Sequence, residues 1–390
     1  MTKVDWMRPS RLASLLFPVL LTLCGTAYAA EPDFSVTPSA DSIARAQAQI
    51  AGCPPGGNCT APLPVKVVII SLFEIGQDTG DTPGEFQLWR TRRHLDMAIP
   101  FPQGFHDLAY NPQTQVLAVL TGIGTARSSN ALTALALDQR LDLSHAYFLL
   151  AGIAGIDPED ASVGSAAWAR YLVDGDLAHE IDPREVPKGW KTGYFPRDGK
   201  GPGDPVVPKP DGELFTLNPA LVGWAYGLTR EMKLPDDPVL AAERKRYAAY
   251  PMAQKPPFVL VGDQLSAMTF WHGKLLNDWA NDWVHYWTQG KGNFVTAAME
   301  DTGVAQAMTF ATRTGRVDYN RLMVLRAGSN HTVPPPGVSA YDNLMAENAH
   351  YTGLTESVEN LYRVGSVVVD ELLGHWDRYG TETPGGEPAR

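Results

Sequence analysis

The stretch that decides the fold is Gly292-Asn-Phe-Val-Thr-Ala-Ala-Met-Glu-Asp-Thr-Gly303. Its first part, Phe294–Ala298, is short, small and apolar, as is typical of a buried strand. Apolar residues then recur with helical spacing from Val304 to Ala311. Glu300 therefore lies at a junction between a strand and a helix, and ligands bind at such junctions in open α/β sheets.

A carboxylate at this junction has two interpretations. Glu300 can accept hydrogen bonds from two neighbouring hydroxyl groups, such as those of a ribose. Alternatively, Glu300 and Asp301 only favour the first turn of a helix. Taken alone, the segment favours the second interpretation, so the rest of the chain must decide between them.

Strand-like and helix-like segments alternate along the chain. Strands are predicted at Val65–Leu72, Val116–Leu120, Tyr147–Ala151, Val163–Val173, Phe258–Val261, Phe294–Ala298 and Arg321–Ala327. Longer helices are predicted at Thr125–Arg140, Ser266–Thr288 and Thr355–Trp376. This order predicts a wound α/β sheet.

Composition narrows the classes of partner. The chain has 390 residues, of which 44% are hydrophobic and 19% are charged, as is ordinary for a globular protein. Its net charge is −11 and it has no block of Lys and Arg. We therefore expect no binding to nucleic acid or to an anionic membrane surface.

The N-terminus predicts a secreted protein. Basic residues precede the apolar run Leu12–Leu23, and Ala27-Tyr28-Ala29 matches a cleavage pattern. Residues 1–29 are therefore predicted to be a signal peptide, and the mature chain is expected in the periplasm. Cys53 and Cys59 are predicted to form one local disulfide in that oxidising compartment. No later run of about 18 apolar residues follows.

The remaining chain is predicted to form a single domain over residues 65–377. A lead of residues 30–64 precedes it and a tail of residues 378–390 follows it. Residues 183–257 are rich in Pro and Gly and are interpreted as an insertion over one end of the sheet.

Six predicted strands end in loops of small or polar residues, after positions 72, 120, 151, 261, 298 and 327. If the strands are mostly aligned, these loops meet in one cleft. Such a cleft suits a small polar ligand with a ring and a diol. Its candidate residues are Glu74, Gly122, Gly124, Arg127, Ser128, Gly152, Gly155, Asp263, Met299, Glu300, Ser329 and Asn330.

Common catalytic motifs are missing from the sequence. The Gly122-x-Gly124 segment lacks the third glycine of a dinucleotide fingerprint, and there is no Walker A, H-E-x-x-H or G-x-S-x-G sequence. No cofactor and no metal site is predicted. The Trp residues of the helix after Ser266 are interpreted as core packing. His331 follows Asn330 and is the histidine of most interest, whereas His272 and His285 are interpreted as core or surface histidines.

At these loops the chain resembles the nucleoside phosphorylase and nucleosidase superfamily, and more specifically the purine nucleoside permease family over about residues 64–377. The segments that carry the resemblance are Leu120-Thr-Gly-Ile-Gly-Thr125, Ala151-Gly-Ile-Ala-Gly155, Ser266-Ala-Met-Thr-Phe-Trp-His272, Ala298-Met-Glu-Asp-Thr-Gly303 and Leu325-Arg-Ala-Gly-Ser-Asn-His-Thr-Val-Pro-Pro-Pro-Gly337. The resemblance implies a mixed central sheet flanked by helices, with the insertion added to it.

The resemblance also implies roles for single residues. Met299 and Glu300 would hold the ribose, and the loop Asp263–Ser266, with Leu265, would hold the base. Gly122, Gly124 and Gly152 belong to the two glycine loops, and Ser329 precedes Asn330 at the base. Asn330 takes the position of the acid that hydrogen-bonds the purine N7, and its amide can pair with N7 and O6 of a 6-oxopurine. Asn330 and Glu74 are the candidate catalytic residues.

The chain departs from the phosphorylases at two positions. Leu150 and Ile153 stand where those enzymes commonly have Arg and Ser, so phosphate is a candidate co-substrate only, with Arg127 or Ser128 as candidate replacements.

Three functional hypotheses follow from these sequence features. The first is that the chain binds purine nucleosides for uptake, with a membrane partner and a homo-oligomer as candidate assemblies. The second is that it is a nucleosidase or phosphorylase that cleaves the N-glycosidic bond. The third is an α/β protein whose cleft has lost its ligand.

Overall fold

The computed structural model describes residues 61–349 and 351–385. Its strands, numbered β1 to β16, are Leu63–Pro64, Val67–Ser71, Met97–Ile99, Leu108–Asn111, Val116–Leu120, Leu141–Asp142, Tyr147–Ile156, Ala166–Trp168, Tyr171–Asp174, His179–Glu180, Tyr194–Phe195, Leu214–Thr216, Val259–Val261, Asp263–Ser266, Phe294–Ala298 and Leu322–His331. Its α-helices, numbered α1 to α9, are Gln87–Arg92, Thr125–Leu137, Pro219–Thr229, Pro238–Arg246, Lys274–Trp287, Asp301–Thr312, Ala340–Ala349, Leu354–Gly374 and Trp376–Tyr379.

Twelve strands form one mixed sheet with helices packed against it. The strand β2 pairs in parallel with β5 on one side and with β7 on the other. The strand β15 is antiparallel to β7, and β4 is antiparallel to β5. The helix α8 packs on β7 and β16, while α2 and α6 pack on each other. The predicted α/β fold with a mixed central sheet flanked by helices is confirmed.

One side of the sheet closes on itself. The pairings run from β7 to β16, β8 and β13, and Gly262 links β13 directly to β14. The circuit then returns through β15 to β7. Because Ala297 is opposite Gly155 in this antiparallel pair, continuing the register brings Glu300 level with Gly152. The end of β2 reaches the same level, so three chain segments converge there.

Two glycine-rich segments that were predicted to be loops are strands. The strand β7 continues through Gly152–Gly155, and β16 continues through Gly328 to His331. These two strands pair in parallel along nearly their whole length, which satisfies the backbone groups of both segments. A bulge lies between Gly328 and Asn330 and leaves Ser329 without a paired residue.

The segment Asp263–Ser266 was also predicted to be a loop and is the strand β14. For this reason the following helix starts later than predicted, at Lys274. The predicted strand Val163–Val173 is divided into β8 and β9. The division falls at Ala169-Arg170, where the Asp263 carboxylate accepts the backbone N–H of Arg170.

The tryptophans of α5 pack in the core, as predicted. Trp279, Trp283 and Trp287 are buried in a second apolar cluster with Leu265 and Phe294. Their spacing of four residues puts them on one helix face, and they contact one another as tilted and edge-to-face rings. This face fixes α5 against β14 and β15.

Residues 183–257 contain β11, β12 and the helices α3 and α4. The strand β12 pairs with β9, so part of this segment belongs to the main sheet. At the other end of the chain, Tyr379 is buried and its carbonyl accepts the hydroxyl of Tyr147. The boundary predicted at residue 377 therefore falls inside a packed element. The predicted signal peptide and the Cys53–Cys59 disulfide lie outside the described residues.

The packing of α2 on α6 depends on a glycine. A Cβ atom at Gly303 would lie 2.3 Å from the carbonyl oxygen of Thr125 and 2.6 Å from Ser128 Oγ. We predict that Gly303→Ala lowers the free energy of unfolding by about 1–3 kcal/mol, because the backbone of α2 must move. Urea denaturation measures this effect.

A matched control is Gly227→Ala in α3, where an added Cβ atom meets nothing within 4 Å. This variant should be neutral or more stable by up to about 1 kcal/mol, because Ala favours a helix over Gly. Equal effects of the two substitutions would contradict the close packing of α2 on α6.

Candidate functional site

Glu300 lies where β15 ends and α6 begins. Its backbone carbonyl accepts the N–H of Val304 and the hydroxyl of Ser128 at 2.9 Å, so the junction is held by α2. One carboxylate oxygen accepts the backbone N–H of Gly124 at 3.1 Å. The other accepts Arg326 Nη2 at 2.9 Å and the N–H of Met299 at 3.2 Å. The side chain is nearly buried but keeps acceptor capacity for one further donor.

Arg326 is the charged residue that anchors this carboxylate. Its guanidinium forms a two-point contact with Asp301, from Nη2 at 2.6 Å and from Nε at 3.2 Å. Its Nη1 donates to the carbonyl of Ile153 at 2.9 Å. The absence of a side chain at Gly152 makes room for it, because a Cβ atom there would lie 2.2 Å from Nη1. Arg326 thus ties β16 to β7 and to the start of α6.

Glu85 is the third carboxyl group near Arg326. Its two oxygens accept the backbone N–H groups of Leu72 at 2.8 Å and Ile153 at 2.7 Å. Burial raises the pKa of Glu85 to about 8, against the opposing effect of Arg326, and the charge of Glu300 adds to the rise. Glu85 therefore holds a proton at neutral pH and links the end of β2 to β7.

Glu300, Asp301 and Glu85 surround the Arg326 guanidinium, and we call these four residues the Glu300 cluster. Burial also raises the pKa of Glu300, while Arg326 and the Gly124 N–H oppose the rise. Burial alone would lower the pKa of Arg326, but Asp301 and Glu300 raise it. The Arg326 guanidinium lies between the Glu300 and Asp301 carboxyl groups, at 2.9 Å and 2.6 Å from its Nη2. This arrangement fixes the position of the Glu300 oxygens before any ligand arrives.

The glycine loop after β5 covers the cluster. Gly122 and Gly124 have φ angles of +82° and +101°, which disfavour other residues. The turn directs the N–H of Gly124 toward Glu300, and Thr125 Oγ1 donates to the carbonyl of Met299 at 3.0 Å. The helices α2 and α6 thus both begin beside the Glu300 carboxylate, where their dipoles favour negative charge.

Asn330 lies at the far end of β16 beyond the bulge. Its Oδ1 accepts the hydroxyl of Ser329 at 3.1 Å, and its Nδ2 donates to Glu347 Oε2 at 3.1 Å. Burial raises the pKa of Glu347 to about 7, although the hydrogen bonds from Asn343 and Asn330 oppose this rise. Glu347 belongs to α7, which lies beside the loop between β14 and α5.

That loop, residues 267–273, joins the two halves of the site. Met268 is 3.4 Å from a Cβ atom built at Gly124, and His272 Nε2 is 3.2 Å from Asn343 Nδ2 on α7. Between them, Phe270 faces Tyr351 at a ring distance of 6.4 Å. Met268 and Phe270 are 49% and 42% exposed. We call the space bounded by Glu300, Gly124, this loop and Asn330 the cleft.

Two predicted base-binding residues are not in the cleft. Asp263 lies at the start of β14, at the opposite end from Ser266, which pairs with Ala298. Its buried carboxylate accepts Arg170 Nη2 at 3.0 Å and the N–H of Asn293 at 2.8 Å. Leu265 is fully buried in the Trp-rich cluster. The segment forms part of the sheet, and the exposed residues 268 and 270 border the cleft instead.

Glu74 follows β2, but its carboxylate serves the loop after that strand. It accepts the backbone N–H groups of Ile75, Gly84, Phe86 and Gln87. Burial raises the pKa of Glu74, and these four hydrogen bonds oppose the rise. The structure thus gives Glu74 a positioning task for the start of α1, and its catalytic role stays a prediction.

His331 and Arg127, two further candidates from the sequence, contact other side chains or the backbone of the protein. His331 is buried, its Nδ1 is 3.2 Å from the carbonyl of Ile156, and its ring packs on Tyr247 at 4.1 Å. Burial lowers the pKa of His331 to about 4, so it stays neutral. Arg127, a candidate phosphate ligand, lies over the ring of Phe105. Within residues 61–349 and 351–385, no group of three His, Cys, Asp or Glu side chains could hold a metal ion.

The sequence reasoning missed four residues of the site, Arg326, Glu85, Glu347 and Phe270. A signal existed for Arg326, because an arginine inside the apolar run Leu322–Ala327 must find a buried partner. Glu85 and Glu347 sit in segments without a recognisable pattern, so only the folded chain brings them to the cleft.

Cavities elsewhere do not coincide with the cleft. One of 450 Å³ lies between residues 189–203 and α5, and Trp190, Tyr194 and Trp283 line it. A smaller one of 130 Å³ is lined by Ala267, Thr269 and Trp271. Neither is lined by a residue of the Glu300 cluster, although the second shares the loop 267–273 with the cleft.

The fold and the cleft define an α/β protein with a polar cleft at the ends of strands of a mixed sheet. A family model described as purine nucleoside permease (NUP) matches residues 64–384. The chain belongs to the purine nucleoside permease family, so the resemblance drawn from the sequence is confirmed.

Curated relatives agree with this assignment. A probable purine nucleoside permease of Schizosaccharomyces pombe is 30% identical over 274 residues, which cover 68% of this chain and 78% of the relative. A purine nucleoside permease of Candida albicans is 28% identical over 320 residues, or 80% of this chain and 76% of that protein.

Solved structures whose backbones match this chain include futalosine hydrolase of Helicobacter pylori, with 16% identity and a TM-score of 0.47. The match covers 79% of this chain and 98% of the hydrolase. The MTA/SAH nucleosidase of Streptococcus pneumoniae is also 16% identical, with a TM-score of 0.45 over 79% of this chain and 99% of the nucleosidase.

Among the residues that the structure describes, no helix has both the length and the apolar character that crossing a bilayer requires.

The buried carboxyl of Glu85 predicts a pH effect on stability. Its pKa rises from 4.5 to about 8 on folding, so the folded state keeps a proton that the unfolded state has lost between those values. The stabilising effect is complete below pH 4.5 and is lost as the pH rises through 8. The free energy of unfolding should fall by at most roughly 1.4 kcal/mol per pH unit in this window because of Glu85.

Glu85→Gln should remove this dependence of the free energy of unfolding on pH. The test is urea denaturation of the wild type and the variant at several pH values from 5 to 8, with Glu185→Gln at an exposed site as the control. The wild type should lose stability faster than Glu85→Gln as the pH rises. Parallel curves for the two proteins would show that Glu85 carries no extra proton in the folded state.

Proposed function

We propose that this chain binds purine ribonucleosides in the cleft and that this binding serves nucleoside uptake. The observation that carries the proposal is the Glu300 carboxylate, which Arg326 and the Gly124 N–H fix at one end of the cleft. A preorganised acceptor with capacity for one further donor is suited to a ribose hydroxyl group, and it requires little reordering on binding. Family membership and the names of the relatives support a purine nucleoside as the ligand.

The rest of the cleft suits a flat base. Phe270 and Met268 present exposed apolar surface beside the polar ends of β15 and β16. Aromatic and thioether side chains pack well on the faces of heteroaromatic rings. Asn330 and Ser329 offer hydrogen-bonding groups at the end of the cleft away from Arg326. A ribose on Glu300 would thus leave the base between Phe270 and Asn330.

A test of the ribose site compares Glu300→Gln with the wild type in binding adenosine and adenine. The exchange removes a charged acceptor, and hydrogen bonds to charged groups contribute about 1.5–3 kcal/mol each. We expect adenosine affinity to fall at least about tenfold and adenine affinity to change less than about threefold. Isothermal titration calorimetry gives both values.

A change of ligand provides a readout that does not depend on the stability of a variant. Either 2′-deoxyadenosine or 3′-deoxyadenosine, whichever lacks the hydroxyl group that donates to Glu300, should bind to the wild type several-fold more weakly than adenosine. Glu185→Gln, which removes an exposed carboxylate, should leave all these affinities unchanged. An equal loss for nucleoside and free base in Glu300→Gln would contradict the ribose site.

Cleavage of the N-glycosidic bond is the second candidate function. The observation that favours it is Glu347, whose pKa near 7 makes it an acid or a base at neutral pH beside Asn330. In this reaction water or phosphate attacks C1′ as the bond to N9 breaks, and the departing purine takes up a proton. Glu347 would supply that proton, and the proton released by the attacking water or phosphate would return to the Glu347 carboxylate through solvent.

Turnover decides between binding and cleavage. The purified mature chain is incubated with adenosine, inosine and guanosine, with and without phosphate, and free base is measured by chromatography. For a binding protein we expect no release of base beyond that in buffer. Release without phosphate would establish a nucleosidase, release only with phosphate a phosphorylase, and either result would contradict a binding-only function.

A further inference from the structure

The amide of Asn330 has little hydrogen-bonding capacity left. Its Nδ2 carries two protons, one directed to Glu347 Oε2 at 3.1 Å and the other to the carbonyl of His331 at 3.3 Å. Its Oδ1 accepts one hydrogen bond, from Ser329. A primary amide has two donor protons and two acceptor lone pairs, so the group still open to a ligand is an acceptor.

Glu347 is responsible for this orientation. An ionised carboxylate can only accept hydrogen bonds, so the Asn330 amide must turn its nitrogen toward it. The other oxygen of Glu347 accepts Asn343 Nδ2 at 2.7 Å, and the same nitrogen lies 3.2 Å from His272 Nε2. Burial lowers the pKa of His272 to about 4, so its ring is neutral and can accept there. Asn343 therefore holds Glu347 in place against Asn330.

The distance along β16 places Asn330 at the base rather than at the sugar. Asn330 follows Arg326 by four residues, which corresponds to at most about 13 Å in a strand and less across the bulge. Arg326 contacts Glu300, so Asn330 lies about one nucleoside length from the ribose acceptor. The loop with Phe270 spans the same interval, from Gly124 to Asn343.

We propose that Glu347 makes the cleft selective for 6-aminopurine nucleosides by directing the acceptor oxygen of Asn330 toward the base. This inference rests on the proposed function. The N7 edge of adenine offers an acceptor and an amino donor, whereas the same edge of a 6-oxopurine offers two acceptors. An acceptor at Asn330 pairs with the amino group and faces an unfavourable oxygen in the 6-oxopurine. The orientation thus opposes the pairing with N7 and O6 of a 6-oxopurine that the sequence suggested.

The contact between Glu347 and Asn330 should also make the selectivity for the purine base depend on pH. Glu347 interacts with Glu243 and Arg246 of α4 and with Tyr247, besides its hydrogen bonds to Asn343 and Asn330. Burial raises the pKa of Glu347 to about 7. Below that pH the protonated carboxyl can donate to Asn330 Oδ1, which allows the amide to turn and its nitrogen to face a 6-oxo group. The preference for adenosine over inosine should therefore increase as the pH rises from 6 to 8.

The test measures adenosine and inosine affinities of the mature chain at pH 8 by calorimetry, or as a ratio of kcat/KM if the nucleosides are cleaved. The wild type should prefer adenosine at least about tenfold. In Glu347→Gln the amide partner can donate as well as accept, so the preference should shrink to about threefold or less. The smaller preference should result mainly from tighter binding of inosine. The control variant Glu185→Gln should show the same affinities as the wild type.

A second variant covers the case in which Glu347→Gln does not fold. Asn330→Leu removes the acceptor oxygen together with the donor nitrogen, so the adenosine preference at pH 8 should shrink to about threefold or less. Equal binding of adenosine and inosine by the wild type would overturn the role of Glu347 and leave the ribose site intact. A tenfold preference that persists in Glu347→Gln would overturn it as well. If no purine nucleoside binds, both this inference and the proposed function fail.

Discussion

The contact on which the rest of the structure depends is the buried guanidinium of Arg326 between Asp301 and Glu300. A buried charge without partners is costly, so Arg326 must meet both acids in the folded state. That requirement joins β16, the junction of β15 with α6, and the carbonyl of Ile153 on β7. The geometry of the cleft is a consequence of the same contact, since it fixes the Glu300 oxygens.

Several features of the fold make this contact attainable. The circuit of paired strands brings β15 antiparallel to β7, so that Glu300 arrives level with Gly152. Gly152 leaves space for the guanidinium, and Gly303 lets α2 approach α6 closely enough for Ser128 to hold the Glu300 carbonyl. The cleft therefore does not depend on one motif. It depends on small residues at the points where four segments of the chain approach one another.

Much of the fold could be predicted from local patterns. Phe294–Ala298 and the helix after it have the apolar periodicity that dictates a strand and a helix, and both form as expected. The glycines of Gly152–Gly155 and Gly328 were harder to place, because glycine indicates a loop locally while parallel pairing of β7 with β16 makes these segments extended. The prediction of a loop at Asp263–Ser266 was wrong for the same reason, because β14 pairs with β9 and β15, which lie far from it in the sequence.

The candidate site was predictable to a similar degree. Glu300, Met299 and Gly124 come together as their positions at strand ends suggested. Glu85 and Glu347 could not be found, because their sequence contexts resemble ordinary loop and helix positions and only tertiary packing brings them to Arg326 and Asn330. The proton states of these two acids depend on burial, which no local pattern shows.

We propose that Glu300, held in place by Arg326, binds the sugar of a nucleoside. The most direct measurement is a crystal structure of the protein with adenosine bound. We expect a ribose hydroxyl within hydrogen-bonding distance of the Glu300 carboxylate, about 2.5–3.0 Å, with the base near Asn330. A nucleoside seated instead in the aromatic cavity between residues 189–203 and α5, with Glu300 uncontacted, would contradict it.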